Sequence, residues 1–310
     1  MQTFSATPKK KNNFARDLKR GRLLYLMLVP SFLWVLCFRL LPIPGIQVAF
    51  RDFNIYDGIW GSSWVGLKYF QQMFSQQRFL NVIENTLEIS ILKLLVLFPI
   101  PIIMALMLNE FKHKWYQRSV QVIIYLPHFL SYVVIHGIFT NLLSTQNGLV
   151  NNLIASLGFD KVNFYSNSLF RFVLILTEGF KDFGWNTIIY LSALSAIDMQ
   201  LYEAAEVDGA GKLKQMWHIT LPSLMPIVML MLTLRVGNIM QTGTDQILVM
   251  YNASVYQTAD VIGTFVYREG IGSGKFSLSA AVGLFESVVA FVLIMGTNFI
   301  CKHGFQRGLW

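Results

Sequence analysis

The sequence has 310 residues, of which 54% are hydrophobic and only 14% are charged. Soluble domains carry about 25% charged residues, so this composition excludes a water-soluble globule and predicts a membrane protein. The mean hydropathy of +0.48 agrees. The formal net charge of +8 does not indicate a nucleic-acid partner, because 7 of the 25 basic residues fall within the first 22 positions. Cys37 and Cys301 lie near opposite ends of the chain without metal-ligand or redox spacing, so we expect no metal site.

Residues 1–22 are strongly basic and precede an apolar run at 23–44 that predicts the first transmembrane helix. The run ends without the small-x-small pattern of a signal-peptidase site, and the residues before Cys37 are too bulky for a lipoprotein cleavage site. We therefore expect the first span to be retained. The basic segment would then be a cytoplasmic anchor against anionic lipid headgroups.

Five further apolar stretches follow an outer loop at 45–81 and form a core at 82–301. A helix crosses the hydrocarbon layer with about 20 apolar residues. The stretches that reach this length are 82–108, 119–141, 171–197, 222–242 and 276–301. Pro99, Pro101 and Pro127 argue against strands, whereas packed membrane helices tolerate a kink. The predicted fold is therefore all-α, a polytopic membrane protein with six transmembrane helices.

The distribution of Lys and Arg predicts the orientation of these spans. With a cytoplasmic N-terminus, 14 basic residues fall in the inner segments 1–22, 109–118, 198–221 and the tail 302–310. The opposite loops are longer in total but carry 6, at 45–81, 142–170 and 243–275. Basic residues concentrate on the cytoplasmic side of membrane proteins, so we expect an N-in and C-in protein of the plasma membrane.

Charged residues within the predicted spans need a partner or a water-filled cavity, because each costs roughly 2.5–3.5 kcal/mol at the middle of a helix. They are Lys93, Glu178, Lys181, Asp182, Arg235 and Glu286. All but Asp182 and Arg235 are interpreted as members of structural ion pairs.

Two polar faces are candidates for the substrate pathway. At 100° per residue, a face about 120° wide on span three consists of Tyr125, His128, Tyr132, His136 and Thr140. A stripe about 80° wide on span five consists of Arg235, Asn238, Thr242 and Asp245. Rings and planar polar groups suit a sugar, but the same residues are equally consistent with hydrogen bonds that hold helices together. The sequence has no nucleophile–base or metal constellation, so we predict no catalytic residue.

The segment 198–221, on the predicted cytoplasmic side, has the features of a docking loop. Asp198 is a good N-cap for a short helix that contains Ala204 and Ala205, and the Gly-Ala-Gly that follows predicts a turn before a second short helix. Small residues on an exposed helix allow another surface to approach closely. Negative charge is offered to that partner by Glu203, Glu206 and Asp208.

This loop resembles the EAA signature of permease subunits in bacterial ABC importers, which reads Glu-Ala-Ala, three residues, Gly, nine residues, Ile, one residue, Leu-Pro. Every fixed position is present, at Glu203, Ala204, Ala205, Gly209, Ile219, Leu221 and Pro222. Further segments are similar to the oligosaccharide and polysaccharide branch of the sugar permeases, and they lie at 64–70, 186–191, 260–268 and 307–310. Met199 and Met216 depart mildly from the pattern, where a proline and an aromatic ring are usual.

The resemblance implies the permease fold of ABC type I importers. In that family the EAA loop docks in a groove of the ATP-hydrolysing subunit, so its residues, with Asp208 beside the glycine, would be contact and turn residues. The implied partners are a second and usually distinct permease, an ABC ATPase dimer and an extracytoplasmic solute-binding protein, all at the lipid bilayer of a bacterial cytoplasmic membrane.

The same resemblance implies that this chain is not an enzyme and binds no cofactor, since ATP and Mg would be used by the ATPase partner. Neither glycine-rich segment, at 209–213 or at 270–276, has the spacing of a nucleotide-binding loop. We therefore predict a permease that translocates oligosaccharide or polysaccharide fragments. Two alternatives stay open: an ABC permease for a non-sugar solute, and an ATP-independent secondary transporter, although the sequence lacks the internal repeat that would favour the latter.

Overall fold

The computed structural model describes residues 21–111, 113–241 and 243–305, with side chains up to residue 303. Thr242, most of the predicted segment 1–22 and most of the tail 302–310 therefore lie outside the described residues. Within the described ranges the protein is mainly helical. Its sheet there consists of two short antiparallel strands, β1 Arg51–Asp52 and β2 Ser63–Trp64.

The helices of the first half of the chain are α1 Arg22–Val35, α2 Gly58–Gly61, α3 Lys68–Ser75, α4 Gln77–Leu97, α5 Pro99–Asn109, α6 Lys114–Tyr125, α7 Tyr132–Leu143 and α8 Leu149–Ser156. Those of the second half are α9 Phe170–Leu194, α10 Met199–Val207, α11 Lys212–Gln215, α12 Leu221–Gly237, α13 Thr244–Met250, α14 Tyr256–Ala259, α15 Ile262–Val266 and α16 Phe276–Phe305. Tighter and wider helical turns extend or join several of them, at Leu36–Leu40, Ile43–Phe50, Leu126–Phe129, Met216–Thr220, Ile239–Gln241, Ala253–Val255 and Tyr267–Gly272.

Four helical segments of the described chain are long and apolar enough to cross a membrane, and they are Arg22–Phe50, Gln77–Asn109, Lys212–Gly237 and Phe276–His303. A fifth is added if the bent pair Lys114–Phe129 and Tyr132–Leu143 counts as one span. The helix α9 has 25 residues, which is long enough to cross a membrane. It is not counted among these segments because it contains too many charged residues. The helical class is confirmed, whereas the count of six spans and their orientation stay predictions.

The predicted span 119–141 is not one continuous helix. The chain bends by 103° between the helical segment that ends at Phe129 and the one that begins at Tyr132. The direction changes at Leu130 and Ser131, whose backbone is extended with ψ of 140° and 156°. Pro127 lies just before them, in the tight helical turn Leu126–Phe129, where its missing N–H removes one helical hydrogen bond. Ser131 then caps α7, since its hydroxyl accepts a hydrogen bond from the backbone N–H of Val134 at 3.3 Å.

Lys181 of α9 supports this break in span three. Its ammonium donates to the carbonyl oxygens of His128 at 2.6 Å and Leu130 at 2.5 Å. Without it, these partly buried acceptors would lose a partner, at a cost of about 1–3 kcal/mol each. We expect Lys181→Met to lower the melting temperature of the detergent-purified protein, followed by thermal unfolding. The control Lys161→Met removes an exposed lysine that donates to the carbonyl of Gln146 at 2.9 Å, an exposed bond that water can replace, and it should not shift the melting temperature. An unshifted Lys181→Met variant would contradict the supporting role.

The segment 243–275, predicted as an outer loop, packs into the helical interior. Gln246 of α13 is fully buried, and its amide donates to the carbonyl of Leu174 and to the hydroxyl of Thr177, both at 2.7 Å. Farther along, Ile262 and Phe265 of α15 are buried in an apolar cluster with α3, α4 and α16. These short helices therefore contribute to the core as well as to the surface.

The helix of span five begins and ends earlier than the predicted range 222–242. It is continuous from Lys212 to Gly237, through the wide turn Met216–Thr220. Gly243 then has a φ of +63°, a left-handed conformation that starts α13 in a new direction. The polar stripe was calculated for one straight helix. Asp245 lies on α13 and therefore does not belong to this stripe.

The helix α9 is central to the packing. One cluster of buried apolar side chains joins it to α4, α7 and α13 around Phe170 and Ile247. A second joins it to α5 and α12 around Tyr190. A Cβ at Gly184 would collide with the carbonyl of Ile124, so glycine is required there for the close approach of α9 and α6. A substitution in α9 therefore alters the packing of α4, α5, α6, α7, α12 and α13, all of which contact it.

The sheet joins the end of the first long helical segment, near Phe50, to the segment 64–70. The ring of Trp64 stacks on that of Phe50, with their centroids 5.5 Å apart. The carboxylate of Asp52 accepts hydrogen bonds from the Tyr69 hydroxyl at 2.6 Å and from the Lys68 ammonium at 3.2 Å. These two hydrogen bonds, the one from Tyr69 first, hold the pKa of the Asp52 carboxyl below its usual range. The segment thus has a structural role at this edge.

Candidate functional site

The helix α10 carries the Glu-Ala-Ala signature on an exposed surface. Its predicted cap is present, since the Asp198 carboxylate accepts a hydrogen bond from the backbone N–H of Gln200 at 3.0 Å. No residue of α10 is buried. Glu203 and Ala204 are exposed and Ala205 is half-buried. The side chains of the signature are therefore accessible to a partner.

A glycine turn reverses the chain after α10. Gly209 has a φ of +73°, which favours glycine, and the N–H of Ala210 donates to the carbonyl of Ala205 at 2.8 Å, which closes the helix end. The Gln215 amide donates to the carbonyl of Ala210 at 3.1 Å. Gly211 has a φ of −68°, which any residue adopts. The direction of α10 relative to α11 therefore depends on one glycine conformation.

The tip of this loop exposes apolar side chains beside acidic ones. Val207 is 89% exposed and Leu213 is 72% exposed, and Glu203, Ala204 and Asp208 of the same loop are exposed as well. We call these five residues the coupling face. Large apolar side chains grouped on a surface mark a place that a partner covers. The coupling face is therefore the part of the loop best suited to docking.

The remaining signature residues lie in the helix that becomes span five, and they are Ile219, Leu221 and Pro222. The loop was predicted to extend to residue 221 but ends at residue 211. Its predicted second half, 212–221, is part of the long helical segment Lys212–Gly237. The wide turn before Leu221, whose N–H bonds to the carbonyl of Met216, has a physical cause: Pro222 has no N–H and its ring crowds the preceding turn. The hydroxyls of Tyr202 and Thr220 lie 2.9 Å apart and connect α10 to this helix.

A buried charge cluster joins α4, α9 and α12. The Glu178 carboxylate accepts hydrogen bonds from Lys93 Nζ and from Arg235 Nη2, both at 2.5 Å. Lys93 also donates to Gln246 Oε1 at 2.7 Å. Lys93 is 1% exposed and Glu178 7%, whereas the Arg235 side chain is 41% exposed. Lys93 and Glu178, each expected to belong to a structural ion pair, therefore pair with each other, and Arg235 is a third member.

The other predicted ion pairs are wrong for the part of the chain that the structure describes. Lys181 donates to backbone carbonyls, as described above, and Glu286 hydrogen-bonds to Gln241. Asp182 instead lies 2.8 Å from His128 Nδ1. The His128 ring is in turn stacked on Trp185, with centroids 4.3 Å apart.

Two cavities border the exposed side of Arg235. The larger, of about 220 Å³, lies between the α4–α5 junction, α9 and α12, and its rings and polar groups are Phe98, Asn186, Tyr190, Arg235 and Asn238. The smaller, of about 130 Å³, lies over the charge cluster and is lined by Ser90, Lys93, Glu178 and Gln241 among others, again with Arg235 and Asn238. Arg235 and Asn238 therefore form the boundary between the two.

Of the predicted pathway residues that the structure describes, which excludes Thr242, Arg235 and Asn238 line these two cavities. The span-three face is divided by the bend: Tyr125 and His128 precede it, and Tyr132, His136 and Thr140 follow it. Asp245 is exposed on α13.

Sequence reasoning missed Phe98, Asn186 and Tyr190. Phe98 lies at the junction between α4 and α5, whereas Asn186 and Tyr190 lie on α9, and only the convergence of these helices with α12 brings them together. Two signals were available: Pro99 begins α5 and marks the helix junction, and Asn186 lies four residues after Asp182 and eight after Glu178, on one face of α9.

Comparison with known proteins places the chain among transport components. Residues 98–303 match the family described as "Binding-protein-dependent transport system inner membrane component". The chain is 42% identical to Protein LplB of Bacillus subtilis (strain 168), over 94% of this chain and 92% of that protein. It is 40% identical to the polygalacturonan/rhamnogalacturonan transport system permease protein YteP of the same organism, over 97% of this chain and 94% of that protein.

Two solved structures are similar over almost the whole chain. One is a crystal structure of a bacterial ABC transporter involved in the import of the acidic polysaccharide alginate, with 38% identity, a TM-score of 0.86, and coverage of 94% of this chain and 99% of the other. The second is a bacterial alginate ABC transporter in complex with an alginate pentasaccharide-bound periplasmic protein, with 37% identity and the same TM-score over 95% of this chain and 99% of the other.

Proposed function

The chain belongs to the family of binding-protein-dependent transport system inner membrane components, and we propose that it is the permease of an ABC importer for oligosaccharides or polysaccharide fragments. It is a multi-pass plasma-membrane protein and a transport component rather than a catalyst. The observation that carries the substrate class is similarity along nearly the whole chain to YteP and to a chain of the alginate importer. This family does not favour the ATP-independent secondary transporter.

We propose a topology of six spans with both termini in the cytoplasm. The described chain supplies four apolar helices and a bent pair, and α9 supplies a sixth, whose carboxylates Glu178 and Asp182 have Lys93, Arg235 and His128 as partners on neighbouring helical segments. A charged helix is tolerated in a bilayer when its charges are paired internally. The excess of Lys and Arg in 1–22 and the other inner segments supports the orientation.

The coupling face would contact an ABC ATPase subunit on the cytoplasmic side. Exposed Glu203 and Ala204, the left-handed turn at Gly209 and the rigid continuation into α12 suit a loop that transmits a movement of the ATPase to span five. ATP and Mg would be held by the ATPase dimer. Because coupling is a difference in free energy between two states, weaker docking would lower transport without changing how the binding protein holds sugar.

The two cavities beside Arg235 would be this chain's share of the translocation pathway. Rings such as Phe98 and Tyr190 offer flat apolar surfaces to a sugar, while Asn186 and Asn238 offer amide groups to its hydroxyls. A second permease subunit would complete the pathway, and a solute-binding protein would deliver the sugar at the outer side. Alternating access between the two sides of the membrane would follow closure of the ATPase dimer.

The test is reconstitution in proteoliposomes with the second permease, the ATPase and the binding protein of the proposed importer. We expect ATP-dependent accumulation of oligosaccharides, and none when the binding protein or ATP is omitted. The panel includes phosphate esters, amino acids and polyamines. Accumulation of one of these in place of sugars would favour the non-sugar permease, and uptake without ATP would contradict the importer.

A further inference from the structure

The charge cluster at α4, α9 and α12 has more positive than negative charge. Its one carboxylate, Glu178, accepts from both Lys93 and Arg235 at 2.5 Å. The nearest other acidic side chain of α9, Asp182, lies 2.8 Å from His128 Nδ1. Asp245 is exposed on α13 and forms no ion pair with a described residue. One positive charge therefore lacks an anion of its own.

That unmatched charge lies on Arg235. Lys93 is 1% exposed and bonded to both Glu178 and Gln246, so two of its three donors have partners and its ammonium is closed to solvent. The Arg235 side chain is 41% exposed, and among the described residues only Glu178 accepts a hydrogen bond from it, through Nη2. A guanidinium has five N–H donors in a planar fork. Most of the donors of Arg235 are therefore available to a ligand.

The surroundings of these donors fit a sugar that carries a carboxylate. Arg235 and Asn238 line both cavities, and the larger one adds the rings of Phe98 and Tyr190. The amide of Asn186 also faces the larger cavity and makes no side-chain hydrogen bond with a described residue. A guanidinium binds carboxylates with two parallel hydrogen bonds, which an ammonium does not reproduce.

We infer that Arg235, with Asn186 and Asn238 beside it, binds a carboxylate of the transported chain, so that the substrate is an oligosaccharide containing uronate units. The inference rests on the proposed function and adds the charge of the sugar. Glu178 acts behind the site: its carboxylate holds Nη2 of Arg235, is itself held by Lys93, and leaves the other donors of Arg235 free for a ligand. We expect the subsite to bind weakly, because solvent competes for the half-exposed donors of Arg235. Weak binding also allows the sugar to leave the site during transport.

The experiment compares uptake of galacturonate, mannuronate and guluronate oligosaccharides with that of their carboxyl-reduced, neutral counterparts in the reconstituted complex. We expect the wild type to prefer an acidic oligosaccharide, and Arg235→Gln to reduce the acidic-to-neutral ratio of uptake by about 10- to 100-fold, the range for a hydrogen-bonded charge pair. Because the same binding protein serves both forms of the permease, its own preference cancels in this comparison.

Two further variants keep the outcome interpretable. Arg235→Lys retains the charge without the fork and should lie between the wild type and Arg235→Gln. Lys161→Gln removes an exposed charge and should leave the ratio unchanged. Glu178 keeps Lys93 as a partner in each Arg235 variant, so the helices remain packed, which thermal unfolding checks.

The failures are distinguishable. If the wild-type complex takes up no oligosaccharide, the proposed function itself fails. If it takes up oligosaccharides but only neutral ones, or if Arg235→Gln lowers acidic and neutral uptake equally, the function stands and the carboxylate site is overturned.

Discussion

Replacing Gly209 by valine is expected to abolish uptake while leaving the protein in the membrane. Gly209 has a φ of +73°, and a Cβ there meets no atom within 4 Å, so the cost arises from the backbone and not from a clash. A left-handed conformation costs an ordinary side chain roughly 1–2 kcal/mol, and a β-branched one is a stronger outlier. The turn would relax to another conformation and displace Glu203 and Ala204 from the ATPase. The measurements are sugar uptake by the reconstituted complex and co-purification of the ATPase.

The matched control is Gly211→Val, two residues farther along the same exposed turn. Gly211 has a φ of −68° and also has open space around its Cβ position, so valine fits there without strain. We expect uptake close to that of the wild type. Normal uptake by Gly209→Val would remove the coupling role from this turn, and equal loss in both variants would refute its dependence on the left-handed conformation.

The loop 198–211 was predictable because its signals are local. Asp198 caps the helix that follows it, and the left-handed Gly209 ends that helix, so each signal acts within a few residues. That Lys93 and Glu178 would each need an ionic partner was predictable for a different reason, although the sequence did not say that they would pair with each other. A charge inside a membrane helix is so costly that it requires a partner, although the sequence alone could not say that Arg235 would share the same carboxylate.

The pathway was less predictable because it depends on where helices stop. The stripe on span five assumed a straight helix, but the helix ends at Gly237 and α13 starts in a new direction after Gly243. Likewise, the extended backbone at Leu130 and Ser131 turns span three by 103°, which separates side chains that share a face on a helical wheel. Contacts between distant segments then decide which residues border a cavity.

Replacing Glu178 by glutamine is expected to destabilise the fold more than any other single change at the charge cluster. The glutamine would leave Lys93, which is 1% exposed, without an anion, and its remaining partner would be the neutral amide of Gln246. Removing one partner of a buried ion pair costs about 3–5 kcal/mol. Arg235 would lose its carboxylate at smaller cost because water reaches it. We expect a melting temperature several degrees lower in thermal unfolding of the detergent-purified protein.

The control and a second variant separate this effect from a general loss of charge. Glu84→Gln changes an exposed glutamate of α4 that forms no ion pair with a described residue, and it should not shift the melting temperature. Lys93→Met combined with Glu178→Gln removes both buried charges, and the double variant should be more stable than Glu178→Gln alone, because a neutral buried pair avoids the cost of an unpaired ammonium. If the double variant is less stable than either single one, Lys93 is not held by Glu178 in the way that the geometry indicates.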